Sequence, residues 1–359
     1  MSGTPLSHHK KAWLDMKKNH LPLASAITLG AGLALLVSLG GRTYGEQESA
    51  AVSPASALGP VHVLKITVLS TMLTDAVGVG EWGFSALVEV NGQRVLFDTG
   101  GRPETVLNNA RELGVDLSSV EDVVLSHNHW DHVTGLVTLR RELSKTNPRA
   151  LSRAHVGRGI FLERLIPPGV RGSDKMTMAE VKSGYEALGG KFIEYVEPKQ
   201  LLAGVWLTGP VPRPFPEKNY PAMIHYRDPD GNLVVDNIPE DQSLVLDTDK
   251  GLVVLTGCGH AGLINILTYA RQTVRPGAQV YAALGGFHLF AAKADTLSWT
   301  ADKLKEFGVA QIMGAHCTGI EPVYYFRERL GLERKACVVG AVGSSFELAK
   351  GIHAGNLAQ

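Results

Sequence analysis

Four residues that can bind a metal ion fall within six consecutive positions of the segment LSHNHWDHVTGL, residues 125–136. They are His127, His129, Asp131 and His132, in a chain that holds 13 histidines. An apolar run precedes His127, and in an extended segment the imidazoles of His127 and His129 point to the same side. Asp131 and His132 come where the next helix begins, so they can face a second ion. Because imidazole and carboxylate ligands suit Zn, Fe or Mn, the segment predicts a binuclear metal centre, the alternative being a polar loop with incidental histidines.

The elements that must position these side chains alternate in two similar halves. In the first half we expect strands at 61–69, 84–90, 93–100 and 120–127, and helices at 104–115 and 133–143. The second half predicts a strand hairpin over 243–260, helices at 261–272 and 295–308, and strands at 279–288 and 309–317. This pattern indicates an α/β (α+β) chain folded as an αββα sandwich, with two sheets packed together and helices outside.

The motif resembles the H-x-H-x-D-H signature of the metallo-β-lactamase superfamily. The segment VLFDTG resembles a strand of that family whose aspartate, here Asp98, supports the metal-binding loop. Three further segments, TGCGHAGLIN, GGFHL and AHCTG, resemble the branch that includes the archaeal dihydropterin–ribofuranosylaminobenzene phosphate synthase. The resemblance covers residues 61–345 and implies an enzyme with two divalent ions, zinc first, with iron or manganese as alternatives.

The resemblance also points to the remaining metal ligands. His316, at a predicted strand end in AHCTG, matches the family's final histidine. The strand GLVVLTGC matches the one that carries the bridging acid, so a thiolate of Cys258 could bridge or bind, and His260 could supply a further imidazole. The family's mid-chain histidine is replaced by the segment PEDQ, where Asp241 is the alternative ligand. The alternatives without metal binding are that Cys258 is a buried structural cysteine and that His260 caps the following helix.

The expected chemistry is that of a metal-activated water. Two ions held by these groups would lower the pKa of a bridging water, supply hydroxide near neutral pH and polarise a carbonyl or phosphoryl oxygen of the substrate. Asp131 would bind one ion and orient the nucleophile, and His288, in GGFHL, would donate a hydrogen bond to the developing oxyanion.

Three functions compete at this stage. The first is a metal-dependent hydrolase of the metallo-β-lactamase fold, which acts with a metal-bound hydroxide on a phosphoester or related ester. The second is a transferase that resembles the dihydropterin synthase, and the third is a non-catalytic metal-binding protein. An intact metal motif disfavours the third.

A run of arginines favours a phosphorylated small-molecule substrate. Five arginines occur within 23 residues, with Glu163 as the only acid among them: Arg149, Arg153, Arg158, Arg164 and Arg171. Arginine binds phosphate through a bidentate fork, so Arg153 and Arg158 are candidate phosphate-binding residues, and the alternative is a solvated basic face. Equal numbers of basic and acidic residues, 35 of each, give no reason to expect nucleic-acid binding.

The domain organisation has five parts. Residues 1–20 form a basic tail, and the uncharged run 21–41 predicts a transmembrane anchor or a signal segment. Residues 42–60 resemble a linker in composition, 61–345 form the metallo-β-lactamase-like domain, and 346–359 form a C-terminal tail. The proline-rich stretch 150–240 predicts an insert that acts as a cap or binds substrate. A membrane-anchored or exported protein, on the periplasmic or extracellular side, follows from the positive flank of the apolar run. The odd count of three cysteines argues against a disulfide framework.

Overall fold

The computed structural model describes residues 60–358 apart from 171–174, 176, 221 and 229. Eighteen strands lie in this part of the chain: β1 (Leu64–Ser70), β2 (Ser85–Val90), β3 (Gln93–Phe97), β4 (Asp122–Val124), β5 (Arg153–Gly157), β6 (Arg164–Leu165), β7 (Lys191–Tyr195), β8 (Lys199–Leu202), β9 (Val205–Leu207), β10 (His225–Arg227), β11 (Leu233–Val235), β12 (Leu244–Thr248), β13 (Gly251–Thr256), β14 (Val280–Gly285), β15 (Gln311–Gly314), β16 (Cys337–Val339), β17 (Ser345–Glu347) and β18 (Gly351–His353).

Seven α-helices accompany the strands in the same described residues: α1 (Thr105–Glu112), α2 (Trp130–Val133), α3 (Leu136–Leu143), α4 (Met178–Ala187), α5 (Leu263–Thr273), α6 (Ala294–Phe307) and α7 (Ile320–Leu330). Two short 3-10 helices cover His316–Thr318 and Arg334–Ala336. The strands form an eight-stranded sheet in the order β18-β17-β1-β2-β3-β4-β5-β7 and a seven-stranded sheet in the order β16-β15-β14-β13-β12-β9-β8. A small sheet, in the order β11-β10-β6, stands apart from both.

The two large sheets are packed face to face with helices on their outer faces. Strand β13 shows the cause: Val253 and Leu255 join the apolar cluster between the sheets, whereas Val254 joins the cluster that contains the helices α5, α6 and α7. Alternate side chains of a strand point to opposite faces, so a run that is apolar at every position is buried on both sides. Each fully buried valine or leucine contributes about 1.5–3 kcal/mol. The mixed α/β sandwich predicted from the sequence is therefore confirmed.

Chain direction brings the carboxyl ends of several strands to one region of the sandwich. Strands β3 and β4 are parallel neighbours in one sheet, and β13, β14 and β15 are parallel neighbours in the other. The loops that leave these strands carry Asp98, His127, Cys258, His288 and His316. The ligand candidates are thus assembled by topology although they are far apart in sequence.

The helix expected at 133–143 begins at Leu136 as α3, and a break separates it from the short helix α2. The break lies at Gly135, where an added Cβ would approach the carbonyl oxygen of Thr99 to 2.0 Å. Only glycine permits this close approach of the motif to the loop that follows β3. The loop that carries Asp98 therefore packs directly on the backbone of the metal motif.

Two predicted boundaries are wrong. The stretch 150–240 is not a single insert, because β5 and β7 extend the eight-stranded sheet and β8 and β9 extend the seven-stranded sheet. Residues 346–359 are not a tail, because β17 pairs with β1 and β18 pairs with β17. In both cases strands of two to five residues, separated by turns, are too short to show a period in the sequence.

The predicted N-terminal apolar helix and linker lie almost entirely outside the described residues, which begin at Pro60. Within residues 60–358, as far as they are described, no helix has the length and apolar character needed to cross a membrane.

Candidate metal centre

Two groups of buried side chains present atoms that can bind metal within 4.8 Å of one another. The first group consists of His127, Cys258 and His260, and the second consists of His132, Cys258 and His316. Cys258 belongs to both groups, so its sulfur lies between two clusters of imidazoles.

The two remaining motif residues stand beside these groups. Nδ1 of His129 lies 3.2 Å from Nε2 of His260. Oδ2 of Asp131 lies 3.1 Å from Nε2 of His316 and 3.9 Å from Nε2 of His132. The structure therefore brings together all six residues predicted as metal ligands, arranged as two sets around Cys258.

Asp98 supports the metal-binding motif through hydrogen bonds. Its carboxylate accepts hydrogen bonds from the backbone N–H and the hydroxyl of Ser126, both at 2.7 Å, and its Oδ2 lies 2.7 Å from Nδ1 of His132. Since the Ser126 hydroxyl donates to Asp98, its oxygen can accept from Nδ1 of His127 at 2.9 Å. Both hydrogen bonds place a proton on Nδ1, so Nε2 of each ring is the atom that can bind a metal ion.

His260 is oriented in the same way by a different loop. The carbonyl oxygen of Asn219 lies 2.9 Å from Nδ1 of His260, and this acceptor requires the proton to be on Nδ1. The side-chain amide of Asn219 also donates to the carbonyl of Gly259 at 2.9 Å. Sequence reasoning missed Ser126 and Asn219, although the position of Ser126 directly before the motif was a usable signal.

Asp241, predicted as an alternative metal ligand, instead binds the backbone of a neighbouring loop. Its Oδ2 accepts the backbone N–H of Ala261 at 2.8 Å, and the structure does not bring it into either ligand group. Burial raises the pKa of Asp241 to about 7 against the effect of the backbone donors of Ala261 and His260. It holds the loop that carries His260.

Three of the six non-glycine residues with positive φ in the described part of the chain lie at the centre. Asp98, His288 and His316 have φ values of 56°, 49° and 48°, in the left-handed region that non-glycine residues rarely adopt. Such conformations cost about 1–3 kcal/mol each and persist where the surrounding structure fixes them.

The electrostatics of the centre suit cations. Burial and neighbouring imidazoles lower the pKa of His127 and of His260 well below the usual histidine range, which leaves both neutral. Burial alone would raise the pKa of Asp131, but His132 and His316 hold it below its usual range. Burial raises the pKa of the Cys258 thiol, so a thiolate there needs a cation beside it.

Several polar atoms of the centre lack partners. Nε2 of His127 and Nδ1 of His316 are buried and form no hydrogen bond within the described residues. Buried nitrogen acceptors without partners are costly, and coordination would satisfy them. The donor set of imidazoles, carboxylate and thiol therefore fits divalent metal ions.

Comparison with known proteins agrees with this geometry. Residues 83–274 match the family described as the metallo-beta-lactamase superfamily. The chain belongs to this superfamily. It is 30% identical over 291 residues to the 7,8-dihydropterin-6-methyl-4-(beta-D-ribofuranosyl)-aminobenzene-5'-phosphate synthase of Methanocaldococcus jannaschii, a match that covers 76% of this chain and 93% of the relative.

A solved structure is also similar. It is described as Tm1679, a metal-dependent hydrolase of the beta-lactamase superfamily, with a TM-score of 0.64 and 26% identity. The match covers 80% of this chain and 99% of that chain. The relatives of this superfamily member are enzymes, which indicates that the chain is an enzyme.

The metal centre of this superfamily member opens into a large cavity. The cavity has a volume of about 1550 Å³, and His129, Asp131, Cys258, His288 and His316 line it. Its walls are rich in aromatic side chains: Trp82, Trp130, Phe161, Phe215, Tyr220, Phe290 and Trp299. His288 is partly buried, and its ring centroid lies 4.5 Å from that of His260. Burial and the nearby His129 and His316 lower the pKa of His288 to about 4.

The candidate phosphate-binding arginines do not line this cavity. Arg153 binds Asp122 through Nε at 2.6 Å and Nη2 at 2.7 Å, at the end of β4 opposite His127. Arg158 is exposed, and its backbone N–H donates to the carbonyl of Tyr195. Arg164 does line the cavity, but its guanidinium is occupied by Asp236 and Glu240. Three lysines, which were not predicted, line the cavity: Lys175, Lys218 and Lys293. Arg171 lies outside the described residues.

Proposed function

We propose that this protein is a metal-dependent hydrolase that cleaves a phosphoester or a related ester of a small molecule. The supporting observation is the meeting of two ligand sets at Cys258 on the floor of the cavity. Lysines in the cavity wall supply positive charge for an anionic substrate.

The chain would hold two divalent ions. His127, His129 and His260 would hold the first, and Asp131, His132 and His316 the second, with Cys258 between them. Zinc suits this mixture of imidazole, carboxylate and thiolate, and iron or manganese is the alternative. Bound ions would supply Lewis acidity and a nucleophile derived from water near neutral pH.

The side chains that face the cavity would position the substrate. Asp131, held ionised by its imidazole neighbours, accepts hydrogen bonds and orients the attacking group. His288 is a neutral imidazole whose N–H can donate to the oxygen on which negative charge develops. The aromatic wall excludes water from the reacting groups.

A second candidate function is transfer of the synthase type. The cavity volume of about 1550 Å³ exceeds the roughly 300–1,000 Å³ of an ordinary small-molecule site, so donor and acceptor could bind together. The synthase that is 30% identical to this chain also supports a transferase function. Both reactions would use the same metal centre. The attacking nucleophile would be water in the hydrolysis and the acceptor molecule in the transfer.

Metal analysis followed by an activity screen tests the proposal. We expect about two equivalents of metal per chain, and turnover of bis-p-nitrophenyl phosphate, a lactone, or a dihydropterin pyrophosphate with an aminobenzene acceptor. His127→Ala with His129→Ala should lose metal and activity, whereas the exposed pair His62→Ala with His353→Ala should lose neither. Full metal occupancy in the first double variant would contradict the assignment. A metal-replete protein that turns over none of the substrates would favour the non-catalytic reading.

A further inference from the structure

Asn128 lies between two candidate ligands, His127 and His129, and is held at two points. Its backbone N–H donates to Oε1 of Glu240 at 2.9 Å. Its side-chain amide donates to the carbonyl oxygen of Ile160 at 2.6 Å. Both acceptors lie more than 30 residues after Asn128 in the sequence, so the conformation of the motif depends on these later parts of the chain.

Glu240 uses its second oxygen for a different partner. Oε2 accepts from Nη2 of Arg164 at 2.5 Å, and Nε of Arg164 binds Asp236 at 3.0 Å. Nη1 of Arg164 donates to the carbonyls of Gly159 and Leu162 at 2.9 and 3.0 Å. The side chain of Glu240 is 0% exposed and that of Arg164 is 7% exposed, so the cluster is almost closed to solvent.

The backbone beside Glu240 is fixed as tightly as its side chain. A Cβ at Gly157, the last residue of β5, would lie 2.2 Å from the carbonyl oxygen of Glu240. Gln242, two residues later, also faces the motif: it donates its backbone N–H to the carbonyl of Ser126 at 3.0 Å and its side-chain amide to that of Leu125 at 2.9 Å. The segment Glu240–Gln242 therefore runs along the loop that delivers His127.

We infer that Glu240 is a positioning residue that fixes the metal-binding loop through the backbone N–H of Asn128 and joins it to the cavity wall through Arg164. This inference rests on the proposed metal-dependent function. It also accounts for the segment PEDQ: where the sequence suggested a replacement ligand, Glu240 holds one ligand-bearing loop and Asp241 holds the other.

The geometry requires a carboxylate of this length. Two donors, the N–H of Asn128 and the guanidinium of Arg164, approach different oxygens of Glu240. A glutamine has one acceptor oxygen and an NH2 group in place of the other, so it can satisfy one donor but turns a donor towards the second. An aspartate keeps the charge but is shorter by one methylene, so it cannot reach both.

Two measurements on the full chain test the inference. The first is Zn²⁺ affinity by competition with a chelator. The second is hydrogen exchange of a peptide containing Asn128 in the metal-free protein, which does not depend on metal or activity. The variants are Glu240→Gln and Glu240→Asp, with Asp122→Asn as the matched control because it breaks another carboxylate–arginine pair at the far end of β4.

We expect both Glu240 variants to bind Zn²⁺ at least about tenfold more weakly, as is usual when a group that supports ligands is lost. Exchange at Asn128 should accelerate in both, while Asp122→Asn changes the affinity less than twofold. If Glu240→Gln does not fold, the measurements on Glu240→Asp alone test the inference. Unchanged affinity and unchanged exchange in a folded Glu240 variant would overturn the inference. A wild-type protein that binds no Zn²⁺ would overturn the proposed function instead, and the exchange measurement would still decide whether Glu240 positions the loop.

Discussion

Nδ1 of His132 and Oδ2 of Asp98 lie 2.7 Å apart, and both side chains are completely buried. Asp98 also accepts two hydrogen bonds from Ser126, so one carboxylate orients the imidazole of His132 directly and that of His127 through the serine hydroxyl. Two loops that are more than 25 residues apart in sequence are thereby fixed by one side chain.

Asp98→Asn should therefore weaken metal binding at both sets. An amide cannot accept three hydrogen bonds in this geometry, and its NH2 group would face a donor. We expect a loss of Zn²⁺ affinity of roughly 10–100-fold, measured by chelator competition. Asp116→Asn, at an exposed carboxylate that accepts hydrogen bonds from Ser118, is the control and should bind metal as the wild type does. Wild-type affinity in Asp98→Asn would show that the histidines orient themselves without it.

Cys258 should be required for both metals. Because its sulfur belongs to both ligand groups, Cys258→Ala should reduce the metal content from about two equivalents to one or fewer. Cys337 is also buried, but it packs among helices and strands away from the centre. Cys337→Ala should keep the metal content and lose only stability, which elemental analysis and urea unfolding separate. Two bound equivalents in Cys258→Ala would mean that the thiol is a packing group.

The position of the lysines changes the expected effect of charge reversal. Lys218→Glu combined with Lys293→Glu should raise KM for an anionic substrate at least about tenfold, which corresponds to roughly 1.4 kcal/mol. Metal content should not change. Arg153→Glu should lower stability without altering KM, because Arg153 binds Asp122 outside the cavity. Steady-state kinetics on both proteins check this, and a KM that responds to Arg153 alone would restore the arginine hypothesis.

Asp122 should contribute to stability in a pH-dependent way. Burial would raise its pKa, but hydrogen bonds from His155 and Arg153 outweigh burial and lower the pKa from 3.8 to about 2. Its contribution is therefore present above pH 3.8 and is lost as the pH falls through about 2. Between pH 5 and pH 3 the wild type should lose about 1 kcal/mol more than Asp122→Asn. Urea unfolding of the metal-free proteins at both pH values measures this, and equal losses would contradict it.

Removing residues 1–59 should leave the fold intact. The first described backbone contacts of the core begin at Val61, whose N–H donates to the carbonyl of Asp247 at 2.7 Å. The truncated chain should bind metal as the full chain does. If the apolar run anchors the protein, the full chain should sediment with membranes and the truncated chain should not. Loss of metal on truncation would show that the removed segment supports the domain.

The candidate ligands could be predicted in part because strand ends carry several of them. His127 follows β4 in one sheet, and Cys258 and His316 follow β13 and β15, which are parallel strands of the other sheet. The resemblance to the metallo-β-lactamase superfamily supplied the association between the two sheets. The roles of Glu240 and Asn219 were not predictable, since each depends on which backbone group a distant loop presents. Asp241 was an alternative ligand because it stands where the family has its mid-chain histidine, and its actual partner is a backbone N–H. The phosphate-binding role predicted for Arg153 and Arg158 met the same difficulty, because spacing in the sequence does not reveal which carboxylates lie near an arginine.

The pairing of β1 with β17 constrains how the molecule can be made. Lys65 lies opposite Glu347, so β1 can pair with β17 only after about 280 further residues have been synthesised. At roughly 5–20 residues per second, the ribosome needs about 15–60 s to supply that partner. Until then β1 has an open edge, which is a template for pairing with other chains. Chaperone demand and aggregation during synthesis should therefore fall on this edge, and a nascent chain stalled before residue 345 should be the form most prone to both.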